Sequence, residues 1–129
     1  MDGGALGFDL LAAEHVLRLQ AAHPDARLIM VIPCTEQTRR WPADQVERQE
    51  RILFQADEVR VLCRHYFNGC MIVRNRHMVD RSSLCVCWLK HTKGGTLSTV
   101  DHALDQGLRV LNLAMPEACA DYLHEPVLP

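Results

Sequence analysis

The chain is 129 residues long, one domain's worth of sequence with room for a single core and no evident linker. At 48% hydrophobic and 23% charged it has the make-up of a soluble globular protein; no apolar stretch is long enough for a bilayer span and no export signal opens it, so the expected location is the cytoplasm. A formal net charge of -2 and a pI near 6.4 remove any global electrostatic reason to bind polyanions, so a nucleic-acid role would need a local patch.

Gly3-Gly4-Ala5-Leu6-Gly7 reads as a glycine-rich turn running straight into a helix. In nucleotide-binding α/β folds such a turn hangs from the end of a strand, yet here only Met1 and Asp2 precede it. From Gly7 to about Ala22, Leu10, Ala13, Leu17 and Ala21 step by three or four, with Ala12, Val16 and Leu19 broadening the stripe. The pattern predicts a helix buried on more than one side, ended by His23-Pro24-Asp25. Ala26 to Ile32 is a nearly continuous apolar run, the pattern of a parallel strand covered on both faces, and it stops at Pro33. A polar segment from Cys34 ends in Arg39-Arg40-Trp41, and Pro42-Ala43-Asp44 opens a charged helix whose buried side is Val46, Ile52, Leu53 and Ala56.

Glu58 to Cys63 alternates as a strand does, and Gly69 to Asp80 is read as a helix. Leu84 to Leu89 reads as a third buried strand, Lys93-Gly94-Gly95-Thr96 opens a helix through Leu104, and Leu108 to Leu113 is a fourth strand. Helices and strands alternate four times, which predicts an α/β, Rossmann-like parallel sheet of about four strands with helices on both faces, in one domain over 1–129. In the tail, 114–129, a weak helical turn around Ala118-Cys119-Ala120 is the only feature.

Ligands of open parallel sheets bind where strands feed helices, and two loops have that form. The glycines of Gly94-Gly95-Thr96 would let a phosphate approach the backbone while Thr96 offers a hydroxyl; a threonine-capped helix start is the equally open alternative. Gly3 to Gly7 is the second loop. Arg74 and Met78 lie one turn apart on a helical face with Asn75 beside them, fit to hold a phosphate or carboxylate or to form a solvated basic face. Arg39-Arg40-Trp41 could offer a cation and a stacking ring, or simply packing. Asp9 and Glu14 sit where a helix dipole favours carboxylates, which gives them a stabilising role first. The six cysteines, Cys34, Cys63, Cys70, Cys85, Cys87 and Cys119, lack a C-x-x-C spacing and are expected to be reduced thiols, and none of the seven histidines falls in a metal-ligand pattern. Neither a metal nor a cofactor is expected.

Four stretches resemble, in order and spacing, the YpsA-like branch of the SLOG superfamily, which also contains the LOG phosphoribohydrolases and the DNA-processing protein DprA. They are GGALGFDLLAAE from Gly3, VIPCTEQTRRW from Val31, GCMIVRNRHMVDRSS from Gly69 and KGGTLSTVDHAL from Lys93, and the resemblance covers about residues 3–113. It implies a Rossmannoid domain whose strand-end loops hold a nucleotide or nucleotide-derived ligand, in a homodimer. It favours Gly3, Gly4, Gly7, Arg74, Asn75, Gly94, Gly95 and Thr96 as phosphate and ligand contacts, with Asp9, Arg40, Trp41, Asp80 and Thr99 as weaker carry-overs.

Two departures qualify this. LOG enzymes carry P-G-G-x-G-T-x-x-E, whose glutamate assists cleavage of the N-glycosidic bond; here the acidic position is Thr99. Family members also begin with a strand, a helix and the strand that feeds the glycine turn, so this chain reads as N-terminally truncated. Exposed edges would then leave it marginal, dimeric or with part of its pocket missing. The expected function is therefore binding of a phosphorylated nucleotide derivative, for sensing or sequestration without turnover. The alternatives are a LOG-like phosphoribohydrolase, with Asp9 or Glu14 standing in for the carboxylate, and an interaction protein in cell division or DNA processing. Direct nucleic-acid binding is disfavoured by the acidic pI and the lack of an aromatic and basic strip.

Overall fold

The computed structural model describes residues 1–90, 93–117 and 119, so the reading of a helical turn around Ala118-Cys119-Ala120 lies, Cys119 apart, outside the described residues. Along the chain run α1 (Phe8–Leu19), β1 (Ile29–Ile32), α2 (Ala43–Gln55), β2 (Glu58–Val61), α3 (Cys70–Asp80), β3 (Leu84–Cys87), α4 (Gly95–Asp105) and β4 (Arg109–Asn112). The fold is the α/β, Rossmann-like alternation that the periodicity predicts, and its strands are parallel, arranged as two pairs, β1 with β2 and β3 with β4. The chain forms two compact units, Met1–Met78 and Val79–Pro129, with the boundary inside α3. Among the described residues, no helix is long and apolar enough to cross a membrane.

In the first unit β1 is apolar at every position, and Met30, Val31 and Ile32 are all buried, as an interior strand requires. β2 pairs with it from Ile29 opposite Glu58 to Ile32 opposite Val61, and its side chains alternate between partly buried and exposed. Leu10 and Ala13 of α1 and Ile52 of α2 close the core with Leu28, Met30 and Ile32, and Val16, Leu17, Trp41, Leu53 and Ala56 pack around it. Helix α1 ends at Leu19, short of Ala22, and Leu11 and Leu19 are exposed, so it buries one stripe where the sequence pattern implied more. The strand start is pinned by Asp57, whose carboxylate accepts from the Leu28 N–H (2.7 Å) and the Gln20 carboxamide (2.8 Å).

The opposite edge of β1 is not bare. Asp2 forms a parallel bridge with Met30, donating its N–H to Ile29 O (2.9 Å) and accepting from Val31 N–H (2.8 Å). Leu28 and Ile32 carbonyls face the β2 side, accepting from Glu58 and Leu62, so β1 is hydrogen-bonded on both edges. The glycine turn therefore does hang from β-structure, through one residue.

In the second unit β3 and β4 pair from Leu84 opposite Arg109 to Cys87 opposite Asn112, and α4 buries Val100 and Ala103. The continuous apolar run of β3 implied a covered strand, but Val86 is exposed and only Cys87 is buried. Past the end of β3 the Asn112 carboxamide takes over from the ladder, accepting from Leu89 N–H (2.9 Å) and donating to Leu89 O (2.8 Å).

Candidate functional site

The first glycine turn is built from contacts that only glycine permits. A Cβ on Gly3 would stand 2.6 Å from Arg74 Nη1 and 2.7 Å from its Cζ, so the guanidinium lies directly against the Gly3 backbone. Gly4 has φ +67, and a Cβ there would meet Ile32 Cδ1 at 2.8 Å and Gln49 Nε2 at 3.1 Å. Gly7, at φ +83, is the N-cap of α1 and provides no side chain to bond the first-turn N–H groups. The turn itself is tied at its front, where Asp2 Oδ1 accepts from Gly4 N–H (2.9 Å), and at its back, where Asp9 Oδ2 accepts from Ala5 N–H (3.3 Å).

Behind the turn sits a buried hydrogen-bond relay. Gly3 O accepts from Arg74 Nη1 and from Gln37 Nε2 (3.2 Å), Gly4 O accepts from Gln49 Nε2 (2.9 Å), and Gln49 Nε2 also donates to Gln37 Oε1 (2.8 Å). Gln37, Gln49 and Arg74 are the buried polar side chains of the described residues.

Arg74, only 4% exposed, is supplied by α3 and also donates from Nε to Asn75 Oδ1 (2.6 Å); among the described residues Nη2 meets Met71 Sδ at 3.9 Å. Burial lowers its affinity for a proton, while Asp9 and Asp2 pull the other way. Burial also pushes the Asp2 carboxyl up to about 7, with Asp9 adding to the rise and the Gly4 N–H opposing it. Asp9 is raised by burial against the pull of Arg74. One cation and two carboxyl groups thus share a poorly hydrated corner beside a set of helix-terminal amides, which can receive an anion and hydroxyl or amine donors at once.

The structure brings together Gly3, Gly4, Gly7, Asp9, Arg74 and Asn75 from the sequence candidates, and adds Asp2, Gln37 and Gln49, which the sequence reading missed. Gln49 left a signal: it interrupts the apolar stripe of α2 between Val46 and Ile52, in a register that is buried. Trp41 packs on the core, and Arg40 is exposed. Glu14 does not reach the turn, because it pairs with Arg48 of α2 (Nε to Oε1 3.0 Å), which holds its carboxyl below the usual range.

The other candidates are in the second unit. Gly94 is the N-cap of α4 at φ +113 with no side-chain cap, so Thr96 does not serve as one, and among the described residues, chain neighbours and the helix's own backbone apart, nothing lies within 4 Å of a Cβ built on Gly94 or Gly95. Thr99 turns its hydroxyl back to Gly95 O (2.9 Å) on its own helix. Asp80 Oδ1 lies 2.8 Å from His102 Nε2, linking the end of α3 to α4.

Among known proteins, the family described as the YspA SLOG family matches residues 1–109. The chain is 34% identical over 113 residues to the uncharacterized SPbeta prophage-derived protein YoqJ of Bacillus subtilis (strain 168), covering 78% of this chain and 66% of that protein. It is 30% identical over 95 residues to the UPF0398 protein BCB4264_A1614 of Bacillus cereus (strain B4264), covering 72% of this chain and 52% of that protein. The chain therefore spans about half to two thirds of the length of these curated relatives. The match over residues 1–109, most of the chain, shows that this chain belongs to the YspA SLOG family.

Proposed function

We propose that the chain binds a phosphorylated, nucleotide-derived small molecule, with its anionic group at the start of α1 and beside Arg74. The observation that carries this is the Gly3–Arg74 contact: a buried guanidinium laid on a glycine backbone, with Nη2 making a weak sulfur contact, next to a helix N-terminus that has no side-chain cap. Asp2 and Asp9 would accept from sugar hydroxyl or base amine donors, which an inorganic anion lacks. Asn75 orients Arg74. Gly94, Gly95 and Thr96 form a second, separate turn that offers helix-terminal amides to a phosphate. A homodimer in the cytoplasm belongs to the same proposal, and light scattering on the purified chain tests the dimer.

The experiment is a thermal-shift screen against AMP, ADP-ribose, NAD and cytokinin-type nucleotides. A ligand at about 100 times its Kd stabilises the native state by roughly 2.7 kcal/mol, a shift of several degrees. The expected result is a shift with at least one nucleotide that is lost in Arg74→Lys, which keeps the charge but not the planar fork. A cooperative melt unmoved by every nucleotide overturns the proposal.

One observation favours a second reading, a nucleotide N-glycosidase. Asp9 places a half-buried carboxyl at the turn, with its proton affinity raised by burial, in the role that Thr99 cannot fill. Release of free base from a nucleoside monophosphate, abolished in Asp9→Asn while the thermal shift persists, would establish it. Binding with no base release by the unaltered chain leaves the sensing or sequestering role.

A further inference from the structure

The α1–α2 face of the first unit carries a groove that the glycine turn does not use. It is an open trough of about 460 Å³, lined by Glu14, Leu17 and Arg18 from α1 and Arg48, Arg51 and Ile52 from α2. Spacings of three and four place each set on one helical face, so the two rows oppose each other with the half-buried Leu17 between them and Ile52 buried in the core beneath. Arg48 is committed to Glu14 through Nε (3.0 Å) and Nη2. The other two arginines are loosely engaged: Arg18 Nη2 lies 3.3 Å from His15 Nδ1, and Arg51 Nη1 lies 3.6 Å from Glu47 in a largely exposed pair. Glu14 registers the resulting positive field, held low by the Arg48 hydrogen bond and then by the charges of Arg48, Arg18 and Arg51.

Beside this trough stands Phe54, 91% exposed, one turn from Arg51 on α2, and on α1 Leu11, 52% exposed, follows the same stripe as Arg18. A phenylalanine on an ordered helix with almost all of its surface in water is the kind of residue that anchors interfaces. The trough is too open to enclose a small molecule, whereas an extended or helical segment can lie along it.

We infer that the α1–α2 groove docks an acidic amphipathic segment of a partner protein, its carboxylates over Arg18 and Arg51 and its apolar side chains on Leu17 and Phe54. Charge complementarity selects the partner: two loosely held guanidinium groups flank Leu17 in a chain whose net charge is -2, so the basic surface is local and directional. The inference stands independently of the ligand reading, because none of these residues touches the glycine turn.

The test is selection of a displayed library of random peptides on the purified chain, followed by titration of a labelled synthetic peptide of the consensus sequence. Recovered peptides are expected to be enriched in Glu and Asp, with leucine-type residues three and four apart. Affinity should fall about tenfold or more in the double variant Arg18→Glu, Arg51→Glu and in Phe54→Ala, and should weaken as salt rises. Both variants alter exposed positions, and unchanged melting curves will show that they fold. Three outcomes overturn the inference: no peptide above background, peptides without acidic enrichment, or variants that bind as the unaltered chain does. A chain that is dimeric and becomes monomeric on Phe54→Ala also overturns it, by assigning the face to self-association.

Discussion

The chain contains two glycine turns of nearly the same grammar, Gly3 to Gly7 before α1 and Gly94 to Thr96 before α4, and both open a helix from a positive-φ glycine without a side-chain cap. They differ in what lies behind them. The first is clamped by Arg74, Gln37, Gln49 and Asp2, each bonded to its backbone, while among the described residues a Cβ on Gly94 or Gly95 would meet nothing within 4 Å beyond its own helix and chain neighbours. A helix start that must hold its amides in fixed positions needs such backing, and a helix start that only needs to turn the chain does not. The comparison shows why a short glycine motif carries little meaning by itself: what gives the first turn its chemistry lies up to 71 residues away.

The sharpest way to break this contrast is at Arg74. Arg74→Met should cost about 3 kcal/mol in the denaturant midpoint, because the buried Gly3 carbonyl and Asn75 lose a charged donor. Gly4→Ala comes next at about 2–3 kcal/mol, combining the left-handed backbone with the Ile32 collision. Gln49→Leu should cost about 1–3 kcal/mol by leaving Gly4 O buried without its donor. In the second turn the sign reverses. Gly95→Ala meets no neighbour among the described residues beyond its own helix and sits at the first helical position, so it should stabilise by about 0.5 kcal/mol.

A pH series sharpens the same contrast. Asp2 holds its proton in the folded chain up to about 7 against an ordinary value of 3.8, so the folded state binds more protons between those limits. The stability contributed by Asp2 is therefore fully present below pH 3.8 and declines as pH rises towards 7 and beyond. Asp2→Asn, which can still accept from Gly4 N–H, removes that decline. Its melting temperature relative to the unaltered chain should climb steadily from pH 4 to 7.5, a slope read directly by calorimetry.

The elements were legible because their signals are local. The nearly continuous Ala26 to Ile32 run marked β1 and the alternation of Glu58 to Cys63 marked β2, each longer than the strand that forms, and Pro42 marked the start of α2. Arg74 was legible only as sharing a helical face with Met78, with Asn75 beside it; nothing nearby says that Arg74 is buried against Gly3. Gln37 and Gln49 were not singled out, because a buried carboxamide is fixed by the carbonyl it meets, here at separations of 34 and 45 residues. Asp2 escaped for the opposite reason. One bridging residue is too short to leave a periodic pattern, although its two backbone bonds anchor the turn to β1. The burial of β3 was overstated because an apolar run reports composition and cannot report how many layers cover it.

The glutamine relay has a consequence in time as well as in space. Gln49 sits on α2 one turn from Ile52, which belongs to the core, so the carbonyls of the first turn are fastened to the same helix that closes the hydrophobic cluster. The turn cannot swing open without breaking buried bonds, so the Gly4 amide, held by Asp2 Oδ1, should exchange with solvent deuterium only when that packing opens. An arriving anion then meets amides whose entropy was given up when the chain folded, and the ordering cost that usually weakens loop-based binding has already been met.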